Sequence, residues 1–259
     1  LSMLRELNAL KLERKRRDKR STPDSGLETL DQQAEAVKRT PEFQAFFKDS
    51  KVVDEDGEPL VVYHGTQATE DFKFFETEGA WDLGSHFGTV EQANDRVDTL
   101  AVYRDGESFS RIKSALGMNV DVDRDSRIIP AYLNIKNPLR MEDAGDFNNP
   151  DQLWEALFGT VEQGSLTEEQ YEEITAVLKA GAALKQNASG NKSITSVVRA
   201  KLEKFGFDGI VYRNQAEGAG DSYIAFHPEQ IKSIWNESPT GSQDFLGQAA
   251  KAKEPSKTE

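Results

Sequence analysis

Val61-Val62-Tyr63-His64-Gly65-Thr66 is the stretch from which the fold of this 259-residue chain can be predicted. Two β-branched residues and a tyrosine precede a His-Gly pair, an order that predicts a buried strand placing a histidine at the rim of a sheet. A glycine beside the histidine lets a ligand approach the main chain, because no Cβ obstructs it. A lone histidine at a strand end is usually structural, so this stretch alone leaves both interpretations open.

Two later stretches also predict short strands close to glycine residues. Gly84-Ser85-His86-Phe87-Gly88-Thr89 is a second glycine-flanked strand, followed at 90–103 by residues of helical composition. Asp221-Ser222-Tyr223-Ile224-Ala225-Phe226 predicts a third strand, which a glycine-rich loop separates from another short strand at 210–213. Together, the three strands form a candidate functional site.

The rest of the pattern predicts an α+β fold. A hairpin is expected at 51–63, and a further strand is expected at 128–135. Residues 150–205 are mainly helical in composition, so strands at both ends of the domain enclose a helical block. The regular alternation of strand and helix that a doubly wound sheet requires is missing.

Three helix starts are predicted from capping residues. Thr40-Pro41-Glu42 combines an N-cap with a proline at the first helical position. Asp151, which follows a proline, is the expected N-cap of a second helix. Thr167 and Gln170 have the spacing of a capping box.

The chain divides into three predicted parts: a charged helical extension at 1–39, a folded domain at 40–236 and a disordered tail at 237–259. Eight Lys or Arg residues against three acidic ones make residues 1–20 basic, whereas the whole chain has a net charge of −13. An acidic body disfavours nonspecific binding to nucleic acid. The basic N-terminal helix is therefore the segment that could contact nucleic acid or an acidic partner, and a solvated helix is the other interpretation.

Several classes of site are excluded by composition. The chain has no cysteine, which removes disulfides, cysteine-zinc sites and thiol nucleophiles. Residues 121–126 begin like a calcium loop but lack its glycine and its final glutamate. The three histidines lack the close spacing of zinc motifs, so no metal is expected. No long apolar run is present, so neither a membrane span nor a signal peptide is expected.

Read jointly, the three strand stretches resemble the ADP-ribosyltransferase fold. The similarity is to the branch whose site is written His-Tyr-Glu, which includes diphtheria-like toxins and poly-ADP-ribose polymerases. Tyr63-His64-Gly65-Thr66 resembles its first motif. His86 stands where the branch has tyrosine, and Ser222 stands where it has glutamate in a Glu-Tyr-Ile-Val-Tyr strand.

A closer resemblance is to the ADP-ribosyltransferase-like modules of bacteriophage and prophage polyvalent proteins. Those modules share with this chain an ordered series of short motifs, found here at 40–66, 132–139 and 206–210. The resemblance implies a split two-sheet β core with flanking helices and a helical insertion at about 145–205. It also implies that NAD, as a substrate, lies in a cleft between the two sheets.

The resemblance also implies residue roles. His64 would hydrogen-bond the adenine-side ribose, the Gly65 backbone would hold the nicotinamide carboxamide, and Thr66 would support that turn. His86 would stack on the nicotinamide ring. By the same resemblance, the catalytic set is His64, His86 and Ser222, and the NAD contacts are His64, Gly65, Thr66, His86, Phe87 and Tyr223.

The activity expected from this resemblance is NAD-dependent mono-ADP-ribosylation of a protein. The same resemblance implies that a phage encodes the protein and that a virion carries it into the host. It would then act in the bacterial cytoplasm. Because Ser222 carries no charge, the alternative is an inactive module with a binding or virion-structural role. Asp221 or Glu217 could supply the missing carboxylate, although Asp221 should face away from Ser222 on its strand. Transfer to or from nucleic acid is a third, weaker hypothesis.

Overall fold

The computed structural model describes residues 35–66, 73–77, 82–104, 127–183, 188–215 and 217–247. The predicted helix of residues 1–20 and the acidic stretch at 121–126 lie outside the described residues. Within the helical extension predicted at 1–39, residues 35–39 are described, and residues 35–38 are helical.

The helices and strands follow one another in the predicted order, apart from an unpredicted strand at 138–141 and a reduced hairpin at 51–63. The elements are helix α1 (Pro41–Phe47), strands β1 (Val62–Thr66) and β2 (Ser85–Phe87), helix α2 (Val90–Arg104), strands β3 (Arg127–Leu133) and β4 (Pro138–Met141), helices α3 (Pro150–Glu162), α4 (Glu168–Ala183) and α5 (Ala188–Lys204), strands β5 (Gly209–Arg213) and β6 (Asp221–Ala225), a 3₁₀ turn (Pro228–Gln230) and strand β7 (Ile231–Ser233).

The strands form two sheets, and this architecture is the α+β fold expected for an ADP-ribosyltransferase-like domain. A three-stranded antiparallel sheet has the order β1-β3-β7, and a four-stranded sheet has the order β2-β6-β5-β4, in which only β4 and β5 run parallel. The two sheets meet where Tyr63 and Gly88 exchange main-chain hydrogen bonds of 2.8 and 3.0 Å. This junction brings the His64 and His86 stretches side by side.

Each face of the four-stranded sheet is covered by a separate apolar cluster. The face toward the three-stranded sheet contributes Phe87, Val211 and Tyr223 to a core shared by both sheets. The opposite face packs against α3, α4 and α5. Helix α1 covers the outer face of the three-stranded sheet, where the Phe43 ring lies 4.8 Å from that of Tyr132.

The predicted helix starts are confirmed in two cases and displaced in the third. The Thr40 hydroxyl accepts a hydrogen bond from the Phe43 amide, with Pro41 in the first turn. Thr167 and Gln170 form a reciprocal capping box. The cap of α3 is Asn149 rather than Asp151, because a proline at 150 occupies the first helical position and the cap must precede it.

Two strand predictions need correction. The hairpin at 51–63 is reduced to a single bridge between Val53 and Pro59, and the residues after it pair with β3 instead of folding back. The strand expected at 128–135 ends at Leu133, and Pro138–Met141 forms a further strand that the sequence analysis does not predict. Proline is tolerated at the start of a strand, where its missing N–H costs no ladder hydrogen bond.

The predicted disordered tail is partly wrong, because residues 237–247 pack against the domain. Phe245 is only 4% exposed and lies in the core between the sheets. Its main-chain N–H donates to Lys73, and its carbonyl accepts from Ser233. One aromatic side chain therefore anchors a segment whose composition otherwise predicts disorder, while residues 248–259 lie outside the described residues.

Candidate functional site

A cleft of about 1230 Å³ opens where the two sheets meet. It is lined by residues from β1, β2, the first turns of α2, the β5–β6 loop and the loop that follows β4. Segments that are distant in sequence thus converge on one concave surface, which is the usual form of a small-molecule site.

His64 is held at the cleft by a hydrogen bond to the neighbouring strand. Its Nδ1 lies 2.7 Å from the main-chain oxygen of His86, and a carbonyl only accepts, so the proton resides on Nδ1. The His64 ring also packs against Phe75 and Phe87, with centroids 5.2 and 5.3 Å away. Burial lowers the pKa of His64 from 6.5 to about 4, so the ring is neutral at neutral pH and Nε2 carries a lone pair.

Gly65 is required by helix packing. A Cβ at this position would lie 2.4 Å from the main-chain oxygen of Ala93 and 3.0 Å from Cγ2 of Val97. Any side chain would therefore push α2 away from β1. The sequence analysis explains the glycine by the access it gives a ligand to the main chain, and the structure adds a second reason on the side of the strand that faces α2.

His86 forms an ion pair with Asp82. The distance from Nε2 to Asp82 Oδ2 is 3.1 Å, although the geometry is not that of an aligned hydrogen bond, and Nδ1 lies 3.2 Å from the Tyr212 hydroxyl. Burial is the largest single effect and would lower the pKa of His86, but the combined interactions with Asp82 and a smaller contribution from Glu217 outweigh it, so the net shift is upward. The structure therefore favours an imidazolium at the position where the resemblance expects a neutral aromatic ring.

Ser222 is buried beneath the cleft and fully engaged. Its hydroxyl donates to Gln92 Oε1 and accepts from Asn214 Nδ2, both at 3.0 Å. A hydroxyl has one proton to donate, so Ser222 cannot also donate to a ligand while it holds Gln92. Through its hydrogen bond to Gln92, Ser222 connects β6 to α2.

The comparison with protein families decides the affiliation of the chain. Residues 54–241, more than two thirds of the sequence, match the family model described as ADP-ribosyltransferase in polyvalent proteins. The chain belongs to this ADP-ribosyltransferase family. Searches of curated proteins and of solved structures give no significant match.

Position 222 of this ADP-ribosyltransferase domain has no carboxylate, so a neighbouring acidic residue would have to supply the negative charge. Asp221 does not replace it: its carboxylate pairs with Arg140 at 2.7 and 3.4 Å, and successive residues of β6 face opposite sides. Glu217, in the loop between β5 and β6, does line the cleft together with Ser222.

Six of the predicted site residues come together in this ADP-ribosyltransferase domain. The residues that line the cleft are His64, Gly65, Thr66, His86, Phe87 and Ser222. Tyr223 is a correction: it is 7% exposed and belongs to the core between the sheets, on the face of β6 opposite Ser222. Because successive side chains of a strand point to opposite faces, the side chain of Tyr223 enters this core while that of Ser222 faces the cleft.

The sequence analysis missed several members of the site. Gln92 is 2% exposed, and its amide group accepts from Thr89 and Ser222 while donating to Gly218 and Gly220. The Thr-x-x-Gln spacing of residues 89–92 is a capping box and could have identified this residue as the start of α2. Asp82, Tyr212 and Asn214 carry no local pattern, since their roles depend on contacts between distant elements.

Among the described residues, no group of three or more potential ligands could hold a metal ion. Within the same residues, no helix combines the length and the apolar character needed to cross a bilayer.

Proposed function

We propose that this protein is an NAD-dependent mono-ADP-ribosyltransferase that modifies a protein. The observation that supports it most directly is the placement of His64, Gly65 and His86 in one cleft at the junction of the two sheets. ADP-ribosyltransferase domains use NAD as their substrate. A neutral His64 with a lone pair on Nε2 suits a ribose hydroxyl, which is a hydrogen-bond donor.

The cleft has surfaces suited to the two ends of NAD. The Phe74 ring, which is 51% exposed, offers flat apolar area for a base or for nicotinamide, while the buried rings of Phe75 and Phe87 form part of the cleft wall. Lys73 and Arg96 lie at the same cleft and provide cations for the diphosphate. The combination of ring surfaces and cations matches a dinucleotide better than it matches a purely apolar ligand.

The proposed reaction breaks the bond between C1′ of the ribose and N1 of nicotinamide. Nicotinamide leaves as a neutral molecule with the electron pair of that bond. A lone pair of the protein acceptor forms the new bond to C1′, and the proton that the acceptor loses passes to solvent. The enzyme contributes by orienting NAD and by stabilising the positive charge that develops on the ribose.

We further propose that the protein is encoded by a phage or prophage and acts on a host protein in the bacterial cytoplasm. The support is the family itself, whose description places it in polyvalent proteins. Delivery in a virion belongs to the same proposal. The acidic composition of the chain favours a protein acceptor over nucleic acid, because a net charge of −13 repels phosphates.

Labelled NAD tests the proposal. Incubation with bacterial lysate should produce labelled protein, and His64→Ala should abolish the label. His227→Ala is a matched control, since His227 lies outside the cleft and pairs with Glu203 at 3.0 Å. Absence of both transfer and NAD hydrolysis in the wild-type protein would refute the proposed activity.

A second candidate is a module that binds a ligand without turning it over. It is favoured by two observations: Ser222 is committed to Gln92 and Asn214, and the pKa of His86 is raised by Asp82 despite burial, which favours positive charge where the family motif has tyrosine. Calorimetry separates the candidates, because NAD binding without nicotinamide release indicates the inactive module. Binding accompanied by release indicates the transferase.

A further inference from the structure

Glu217 lines the cleft, but it lies outside the three sequence motifs. It lies in the loop between β5 and β6, its side chain is 26% exposed, and it lines the same cleft as His64, His86 and Ser222. A carboxylate therefore reaches the site from the loop although the strand itself carries serine at the position where the family motif has glutamate.

The Glu217 side chain is oriented by Asn214. The Asn214 amide nitrogen donates to Glu217 Oε2 at 3.2 Å, and the Glu217 main-chain N–H donates back to Asn214 Oδ1 at 2.8 Å. The same Asn214 nitrogen also reaches Ser222. This closed arrangement links the loop carboxylate to the strand position that lacks one.

The loop that carries Glu217 is fixed by Gln92. Gly218 and Gly220 have φ values of +125° and +123°, which side chains rarely adopt, and their carbonyls accept from Gln92 Nε2 at 3.4 Å. Gln92 in turn accepts the proton of Ser222. The two glycines allow the loop to follow this backbone path, and the hydrogen bonds of Gln92 fix the loop to helix α2.

Two of the four other carboxylates that line the cleft, those of Asp82 and Asp143, have both oxygens engaged. Asp82 accepts from the Leu83 amide and pairs with His86. Asp143 accepts from the amides of Gly145 and Gln215. Glu217 differs, because among the described residues its Oε1 has only a 3.9 Å contact with Arg96, which is too long for a hydrogen bond.

The charge of Glu217 reaches the centre of the site. The pKa of Tyr212 is raised, first by burial and then by Glu217. At His86, burial lowers the pKa and Asp82 raises it, and Glu217 adds a smaller upward contribution. The carboxylate is therefore electrostatically coupled to two side chains that line the cleft.

We propose that Glu217 is the catalytic carboxylate of this domain: it accepts a hydrogen bond from a hydroxyl of the NAD ribose and offsets the positive charge that develops there. The inference rests on the proposed transferase function. In the step it assists, the C1′–N1 bond breaks with its electron pair on nicotinamide, the acceptor lone pair bonds to C1′, and the acceptor proton goes to solvent. Glu217 neither gives nor takes a proton in this step.

The test compares Glu217→Gln with Asp221→Asn. Each replaces one carboxylate by an amide in the same hairpin, but Asp221 pairs with Arg140 on the face of β6 away from Ser222. The glutamine keeps an oxygen that can accept from Asn214. Nicotinamide release from NAD, NAD affinity by calorimetry and the melting temperature are measured for both variants and for the wild-type protein.

Glu217→Gln should slow nicotinamide release by roughly 10²–10³-fold, the cost of removing one such electrostatic contact. The Kd for NAD should change by less than about threefold, because the interaction strengthens only as charge develops. Asp221→Asn should release nicotinamide at the wild-type rate. That difference between two equivalent charge removals is the signature of a catalytic carboxylate.

Other results would overturn the inference. If Glu217→Gln retains the wild-type rate, or if Asp221→Asn is equally slow, Glu217 is not the catalytic group, while the transferase function stands. A wild-type protein that neither cleaves nor transfers from NAD refutes the function and the inference together. If Glu217→Gln does not fold, Glu217→Asp decides: a carboxylate one methylene shorter should lose at least about tenfold in rate, and a wild-type rate contradicts the proposal.

Discussion

The imidazole of His64 donates a 2.7 Å hydrogen bond to the main-chain oxygen of His86. This bond joins the two sheets beside their junction and fixes the tautomer of His64, because the carbonyl accepts the proton on Nδ1. It leaves a lone pair on Nε2 in a ring that burial keeps neutral. The site therefore pairs a neutral histidine with a second histidine whose pKa is raised, despite burial, by its interactions with Asp82.

The neutral state of His64 predicts a pH dependence of stability. Because burial lowers its pKa from 6.5 to about 4, the unfolded chain binds more protons than the folded protein between these values. The stability contributed by neutral His64 should be complete above pH 6.5. It should be lost as the pH falls toward 4, by up to about 1.4 kcal/mol per pH unit.

Urea denaturation of the wild-type protein and His64→Asn between pH 4 and 8 measures this contribution. Asparagine can still donate to the His86 carbonyl but does not titrate, so the free-energy difference between the two proteins should change over that range. Other titrating groups contribute to both proteins and largely cancel. Parallel pH profiles would show that His64 is not the buried neutral base described here.

The Asp82–His86 ion pair predicts a shift that can be observed directly. Asp82→Asn removes the charge that overcomes burial, so the pKa of His86 should fall below its ordinary value of 6.5. NMR titration of the imidazole protons gives this pKa in wild type and variant. Asp146→Asn alters another carboxylate of the cleft and should leave the His86 pKa raised. An unchanged His86 pKa in Asp82→Asn would contradict the pairing.

Close packing of α2 on β1 predicts that Gly65→Ala is destabilising. The added Cβ would meet the Ala93 carbonyl at 2.4 Å, and main-chain atoms yield only by moving the helix. A loss of about 1–3 kcal/mol in the free energy of unfolding is expected. Gly241→Ala is the control, since a Cβ at that position would meet no atom within 4 Å and its φ is not in the left-handed region. Equal melting temperatures for both variants would refute the packing argument.

The ordered segment at 237–247 predicts that Phe245 supports the cleft wall. Its ring lies 5.2 Å from Phe75, which in turn contacts His64, and its N–H holds the Lys73 carbonyl. Phe245→Ala should lower the free energy of unfolding by about 3–5 kcal/mol. Phe158→Ala removes the same side chain from a site that is 52% exposed and should cost far less. If chemical denaturation shows similar losses in the free energy of unfolding for both variants, Phe245 does not contribute to the core.

Local patterns predict much of the fold because the interactions they encode are local. The capping box at Thr167 and the cap at Thr40 are formed within four residues, and their partners can be identified by spacing. Strand alternation likewise separates Asp221 from Ser222 correctly. The same rule also separates Ser222 from Tyr223, whereas motif resemblance alone groups those two residues in one site.

The order of the His64, His86 and Ser222 stretches is sufficient to indicate the family, since each stretch is a short strand with its own residue pattern. Which side chains complete the cleft is decided by tertiary structure. Ser222 meets Gln92 across 130 residues, and His86 meets Tyr212 across 126, through contacts that exist only once the sheets and α2 have packed. The role of Glu217 depends on the same packing, because a loop carboxylate is placed by the glycines, Asn214 and Gln92 around it and by no periodicity of its own.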